Sequence, residues 1–318
     1  MDLVTDWPEP VCGPDEVIVR VHGVGLCGTD LAVIDGKAVP PSTPWVVGHE
    51  GGGEIVAIGA AVRDRSVGQR VVIEPNLGCG TCQLCQDGRT SRCAQRQSIG
   101  HSTTGLLAER VAVRADHTWV VPDDMPVAAI ACFEPLVVAD TAVRRAGVAA
   151  GDEVLILGAG SVGQLLAQVV LAAGAVPFVI DTHPGRLAHA VDLGARNGAE
   201  RPGHLYPFVF ETTGAGPAWQ TAFDSVALGG LLTLIGFTRD AVPVIPMELV
   251  RRQVTVRGHL IYDHPADFGS TLARVRDAEL VPEQGVHAVH PVTDAQAAFD
   301  AVRQVPGKTW LDFSPWLD

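Results

Sequence analysis

Lysine is nearly missing from this 318-residue chain, where it occurs only at Lys37 and Lys308. Positive charge of any kind is short. Lys and Arg together number 23 against 36 Asp and Glu, a formal net charge of −13. A surface of that sign repels phosphate backbones and argues against a nucleic-acid partner. No apolar run reaches the ~18–20 residues a membrane span needs; the candidates at 154–157 and 164–173 are interrupted by glycine and polar residues. No basic-then-apolar leader opens the chain, which begins MDLVTDWPEP, and there is no internal repeat or low-complexity tract. These absences leave, as an expectation, a cytoplasmic acidic enzyme that acts on a small molecule and has no membrane partner. The length suits about two domains of ~100–200 residues, and 47% hydrophobic content is enough for a large core.

Hydrophobic periodicity divides the chain. Residues 17–21, 51–58, 69–73 and 107–113 read as β-branched strands punctuated by Gly and Pro. The stretch 79–93 is a loop without period. Helical spacing begins around 125–148. Then strand and helix alternate: strands at 152–157, 176–180, 208–211 and 231–235, helices at 161–173, 184–193 and 218–228. Such alternation implies a parallel sheet with helices on its faces. From about residue 258 the alternation stops, and 268–278 and 294–305 read as helices that return to the first domain.

The turn after the first of these strands is Gly158-Ala-Gly160-Ser161-Val162-Gly163. G-x-G-x-x-G between a strand and a helix marks a dinucleotide cradle. Gly158 allows the tight turn, Gly160 the approach of a pyrophosphate, and Gly163 close helix–strand packing, while the helix opened by Ser161 offers free N–H groups. Asp181 ends the next strand about 20 residues on, where a carboxylate binds ribose hydroxyls and repels a 2′-phosphate. That favours NAD over NADP, with Arg186 as the residue that softens the preference. The bland alternative is a glycine-rich turn in an unliganded α/β fold.

Seven cysteines are present, and four follow C-x2-C-x2-C-x7-C: Cys79, Cys82, Cys85 and Cys93. Four thiolates close a tetrahedron around zinc and leave no open position, so the site is expected to be structural. A redox CxxC competes. A [4Fe–4S] cluster fits less well, since its run is shorter and followed by Pro. Elsewhere Cys27 stands in Gly25-Leu-Cys27-Gly-Thr29-Asp30, and His49 and Glu50 in Gly48-His49-Glu50-x2-Gly53-x5-Gly59-x2-Val62. Taken singly, a cysteine or histidine is more often a packing residue than a ligand.

Together these motifs resemble the zinc-containing medium-chain dehydrogenase/reductase (alcohol dehydrogenase) family over nearly the whole chain. The segment Cys132-Phe133-Glu134-Pro135-Leu136 is similar to the polyol, threonine and sugar dehydrogenase branch rather than to simple alcohol dehydrogenases. The resemblance implies a GroES-like irregular β catalytic domain, 1–130 completed by 264–318, and a Rossmann doubly wound parallel-sheet domain, 131–263. It implies a catalytic zinc held by Cys27 and His49 with Glu50 or Glu134, and leaves Cys132 as a further candidate. Thr29 is expected to take the substrate proton, Asp30 to orient the metal ligands, and Val162 to pack behind the nicotinamide. Val33, Trp45 and His101 are candidates for the substrate pocket. The implied reaction is hydride transfer between a secondary alcohol and NAD. NADP-dependent sugar oxidation or ketone reduction, and a non-catalytic NAD-binding role, are the alternatives; the zinc-free quinone reductase branch lacks these ligands. A homodimer or homotetramer is expected near 231–237 and 254–258. Three departures stand out. Ala32 replaces a relay histidine, the segment 194–208 is too short for the usual strand and helix, and the first hairpin is abbreviated.

Overall fold

The structure, a computed structural model, describes residues 3–239 and 241–317. It divides into two compact units, Met1–Glu134 with Tyr262–Asp318, and Pro135–Ile261.

The first unit is built on β1 (Glu16–Gly25), whose Val17, Val19 and Val21 are fully buried. Alternation puts all three on the core face, and burying each contributes about 1.5–3 kcal/mol. The chain continues through α1 (Gly28–Ile34), β2 (Glu50–Ile58) and β3 (Arg70–Ile73). The cysteine loop follows, flanked by β4 (Asn76–Leu77) and β5 (Gln97–Ser98) and carrying the short α2 (Gln83–Gln86). β6 (Arg110–Arg114) and β7 (Thr118–Val120) complete the run, and α3 (Ile130–Ala146) begins in the first unit and continues from Pro135 as part of the second.

The second unit is a parallel sheet. Its elements are β8 (Glu153–Leu157), α4 (Ser161–Ala172), β9 (Val176–Ile180), α5 (Pro184–Asp192), β10 (Arg196–Asn197), β11 (Tyr206–Glu211), α6 (Gly216–Ser225), β12 (Val226–Leu234), α7 (Pro246–Arg252) and β13 (Thr255–Gly258). The strand order is β10-β9-β8-β11-β12-β13, the doubly wound arrangement, with a crevice expected where β8 and β11 diverge. Its core gathers Leu155, Leu157, Phe178, Val209, Phe223 and Leu232. The sixth helix ends at Ser225 and β12 starts at Val226, so residues read as the end of a helix are strand.

The chain then returns to the first unit as α8 (Ala266–Arg276), β14 (Val286–Pro291), α9 (Ala295–Ala301) and β15 (Lys308–Asp312). The larger sheet runs β14-β15-β1-β2-β3-β7, with β6 also on β1. β1 is shared: Glu16–Arg20 pair with β6, and Gly23–Gly25 with β15. The C-terminal strand thus abuts the end of β1 that leads to Cys27. Among the described residues, no helix is long and apolar enough to cross a membrane.

The short segment after α5 keeps its strand and loses its helix. β10 is two residues long, and a single 3-10 turn, Gly198–Glu200, stands where a helix would cover the sheet. Side chains take over that cover. Arg201 lies over the Phe178 ring at 4.7 Å and the Tyr206 ring at 6.0 Å. Its guanidinium donates to Glu153 Oε1 at 2.6 Å, and His204 Nε2 lies 2.7 Å from Glu153 Oε2. The ion pair is about one-third exposed and is worth little by itself; the guanidinium over aromatic faces and the buried stem add more. Arg201→Ala is expected to cost about 1–2 kcal/mol. Thermal denaturation should show this as a Tm lower by roughly 3–6 °C. An unchanged Tm would mean that Arg201 does not cover the sheet.

Candidate catalytic centre, cysteine loop and nucleotide cradle

Cys27 is the N-cap of α1, and Asp30, on the first turn, folds back so that Cys27 N donates to Asp30 Oδ2 at 3.0 Å. The other oxygen, Oδ1, accepts from Gly48 N at 3.1 Å and faces His49 Nδ1 at 3.2 Å. One carboxylate therefore ties the start of α1 to the entrance of β2. Burial alone would raise the Asp30 carboxyl. The charge of His49 and the hydrogen bonds from His49, Cys27 and Gly48 outweigh it and hold the group below its ordinary value. With Nδ1 facing Asp30, His49 presents Nε2 to the other side, 3.4 Å from Thr29 Oγ1. Burial opposes charge on His49, but Asp30 and Cys27 overcome it and raise the imidazole well above its usual range. A proton and a metal ion compete for such a nitrogen.

Ligand atoms of Cys27, His49 and Glu50 all lie within 4.8 Å of one another. One thiol, one imidazole and one carboxylate suit zinc. Glu50 has a partner that the sequence motifs did not reveal. Lys308, at the start of β15, donates to Glu50 Oε2 at 2.5 Å and to Leu26 O at 3.2 Å. Both side chains are almost completely buried, at 1% and 2% exposure. Burial works against the ammonium, and the Glu50 charge holds it above its ordinary value. Space at this point is tight: a Cβ on Gly25 would stand 2.4 Å from Ala131 O and 2.7 Å from Glu50 Oε2. Ala131 O is the carbonyl that an N–H at position 135 would bond in α3, and Pro135 has none.

Glu134 is buried close enough to His49 and Glu50 to feel both charges, but it is not part of the three-residue set. Burial pushes its carboxyl up to about 7. Cys132 is also buried, which pushes its thiol up to about 12. His101 sits beside the centre with its ring centroid 4.8 Å from that of His49, and Trp45 Nε1 donates to the adjacent Gly100 O at 2.9 Å. Val33 and Trp45 pack against the hydrophobic core of the unit.

In the cysteine loop the Cys79 and Cys85 sulfurs are 4.0 Å apart and those of Cys82 and Cys93 are 3.9 Å apart. Sulfurs tetrahedral around zinc at about 2.3 Å stand about 3.8 Å apart, so the four thiols fit the ion. All seven cysteines are free thiols. Hydrogen bonds from Thr81 and from backbone N–H groups draw the Cys79 thiol down to about 6, which favours the ligating thiolate. A further set, Asp30, His49 and His101, shares His49 with the centre, and a separate group, Asp116, His117 and His264, also has ligand atoms within 4.8 Å of one another. Its two imidazoles stack at 4.2 Å and 8°. The in-plane lone pairs of parallel rings do not converge on one ion, and the group reads as a structural tie.

In the second unit, Gly158 has φ +98, and any side chain there would strike Thr212 and Thr213. A Cβ on Gly163 would stand 1.9 Å from Gly158 O, so α4 packs on the turn only with glycine. Gly160 faces open space, with no atom within 4 Å of its Cβ position, at the N-cap of the 12-residue α4. Ser161 and Val162 form the first turn of that helix and are half-buried. This geometry fits a pyrophosphate. Asp181, just past β9, accepts from Ala159 N at 2.7 Å and from His183 N at 2.7 Å. Each oxygen keeps a second lone pair for a ligand. Arg186 lies on the first turn of α5.

Two family models match the chain: the alcohol dehydrogenase GroES-like domain over residues 13–123 and the zinc-binding dehydrogenase domain over residues 161–277. D-altritol 5-dehydrogenase of Agrobacterium fabrum is 36% identical over 269 residues, which covers 80% of each chain. Galactitol-1-phosphate dehydrogenase of Escherichia coli superposes with a TM-score of 0.87 at 29% identity, covering 98% of this chain and 96% of that one. A zinc-binding dehydrogenase of Sinorhizobium meliloti bound to NADP superposes with a TM-score of 0.85 at 27% identity, covering 96% and 93%. With both domains matched and the ligand geometry of each site in place, the chain belongs to the zinc-binding, NAD(P)-dependent medium-chain alcohol dehydrogenase family, on its polyol and sugar dehydrogenase branch.

Proposed function

We propose that the protein oxidises a secondary alcohol of a polyhydroxylated compound, a polyol, sugar, cyclitol or amino alcohol, and prefers NAD as hydride acceptor. The observation that carries this reading is the Cys27–His49–Glu50 set, with His49 oriented through Asp30. Cys27 and His49 would hold the catalytic zinc, and Glu50 and Glu134 stand ready as alternative oxygen ligands. Zinc in such a position supplies Lewis acidity, which lowers the pKa of an alcohol toward neutrality. Thr29, 3.4 Å from His49 Nε2, receives the hydroxyl proton. Ala32 carries no group that could pass that proton on. The relatives named for D-altritol and galactitol 1-phosphate support a substrate with several hydroxyls. So does His101, which offers a hydrogen-bonding edge beside His49.

For the cofactor, Gly158, Gly160, Ser161 and Gly163 would cradle the pyrophosphate, Val162 would back the nicotinamide, and Asp181 would accept from the ribose hydroxyls. Arg186 on the first turn of α5 supports the second reading, NADP. Cys79, Cys82, Cys85 and Cys93 would hold a structural zinc. Free thiols throughout, with four in one metal-binding loop, support a reducing compartment such as the cytoplasm. A homodimer or homotetramer is proposed through β13, an edge strand bonded only to β12 and exposed along its length. Leu228, Phe237 and Val250, each more than 70% exposed, add apolar surface in the same part of the sequence.

The central test is metal analysis joined to a reduction screen with NAD and NADP over polyols, sugars, inositols and amino alcohols. The wild type should use NAD with lower KM, and Cys27→Ala and His49→Ala should lose turnover by a factor of ~10³ or more while staying folded. Either variant at wild-type rates on every substrate would refute the catalytic metal. Cys82→Ser is expected to lose one zinc equivalent and melt several degrees lower; unchanged melting and zinc content would rule out the structural site. Sedimentation equilibrium should give a multiple of the 33.4 kDa chain mass, and a monomer at micromolar concentration would remove the β13 interface.

A further inference from the structure

Lys308 opens β15, and the register of that strand decides where its side chain goes. Trp310 pairs with Gly25, and Leu26 N donates to Thr309 O at 2.9 Å. The strand therefore runs beside the residue that precedes Cys27. From there the ammonium donates to Leu26 O at 3.2 Å and to Glu50 Oε2 at 2.5 Å. One cation thus ties the backbone next to Cys27 to the side chain next to His49. The two oxygens of Glu50 are left in different surroundings. Oε2 faces the ammonium. Oε1 has no hydrogen-bond partner among the described residues, although Glu50 is only 1% exposed. A buried carboxylate oxygen without a donor seeks a cation, and the ligand atoms beside it are those of Cys27 and His49. A dication drawn to Oε2 would instead stand next to the ammonium, and like charges so close in a buried site repel strongly.

We propose that Lys308 is a positioning residue. It holds Glu50 by one oxygen and leaves the other as the oxygen that a metal at Cys27 and His49 can take. Glu50 thereby acts as a one-oxygen ligand. The coordination position that its second oxygen would fill stays open for the substrate oxygen. This rests on the catalytic metal proposed above.

The test uses the full-length protein with cobalt(II) exchanged for zinc. It reads the visible spectrum without substrate and the cobalt dissociation constant by chelator competition, beside KM and kcat. Cobalt in the cysteine loop contributes equally to every variant, so differences between variants report the position at Cys27 and His49. Lys308→Met removes the cation and frees Glu50 Oε2. It is expected to shift the spectrum toward higher coordination number and to tighten cobalt roughly tenfold, the scale of one hydrogen bond to a charged group. KM for the alcohol should rise, because the substrate oxygen then competes with Glu50 Oε2. A purely structural lesion would instead loosen the metal. Lys308→Arg keeps the charge and should leave spectrum and affinity close to wild type. Lys308→Met combined with Glu50→Gln should show no further spectral change relative to Glu50→Gln alone. Lys308→Gln, which keeps a donor without the charge, should move the spectrum in the same direction by a smaller amount and keeps the test open if Lys308→Met fails to fold. A Lys308→Met protein with the wild-type spectrum, or with looser cobalt, would overturn the proposal. So would a spectral change that persists in full when Glu50 is Gln. If wild-type protein takes up no cobalt at Cys27 and His49, the catalytic metal itself falls and this inference with it, an outcome distinct from uptake with matching spectra.

Discussion

The catalytic centre depends on one buried carboxylate. Asp30 is fully inaccessible to water, a placement that is costly for a charge unless its oxygens are satisfied. Three groups satisfy them: the backbone N–H of Cys27, the backbone N–H of Gly48 and the imidazole of His49. Those three groups lie on two segments that have no reason to stay together on their own, the start of α1 and the entrance of β2. The stabilisation of Asp30 and the assembly of the two strongest metal-ligand candidates are therefore the same set of bonds. The bond to Nδ1 also decides which nitrogen of His49 faces the centre, the usual role of a carboxylate behind a ligating histidine.

A second constraint comes from the far end of the chain. Gly25 pairs with Glu50 on one side and with Trp310 on the other. This register puts the start of β15, and with it Lys308, against the same point of β1 as Glu50. A lysine buried there without Glu50 would be an uncompensated charge, and so would Glu50 without the lysine. The C-terminal return is thus part of the site as well as part of the sheet. It accounts for why residues 308–312 are strand and buried although they lie 150 residues past β8 in a chain whose nucleotide-binding elements intervene.

What could be read from the sequence was local. Cys27, Thr29, His49, Glu50, the four loop cysteines and the glycines of the nucleotide turn each stand in a short motif whose spacing reflects its chemistry. The brevity of 194–208 was legible as missing periodicity, and the structure shows what replaced it: a two-residue strand and an arginine laid over Phe178 and Tyr206. Lys308 and Asn76–Tyr262 were not legible. Their partners are 258 and 186 residues away, and no periodicity reports a pairing of that range. Composition held a clue. Lysine and tyrosine occur only twice each, and a lysine inside an apolar strand invites the question of what neutralises it. The helix–strand boundary at Ser225/Val226 was misplaced because an apolar run with small residues fits either period.

The two glutamates beside the centre are held by different chemistry, and the difference separates their roles. Glu50 accepts from the Lys308 ammonium at 2.5 Å, and the two buried side chains pair opposite charges. Glu134 has no such ion pair among the described residues, and burial lifts its carboxyl to about 7. The cation on Glu50 comes from one of the two scarcest side chains in the protein, brought to the site by the segment that returns after the nucleotide-binding unit.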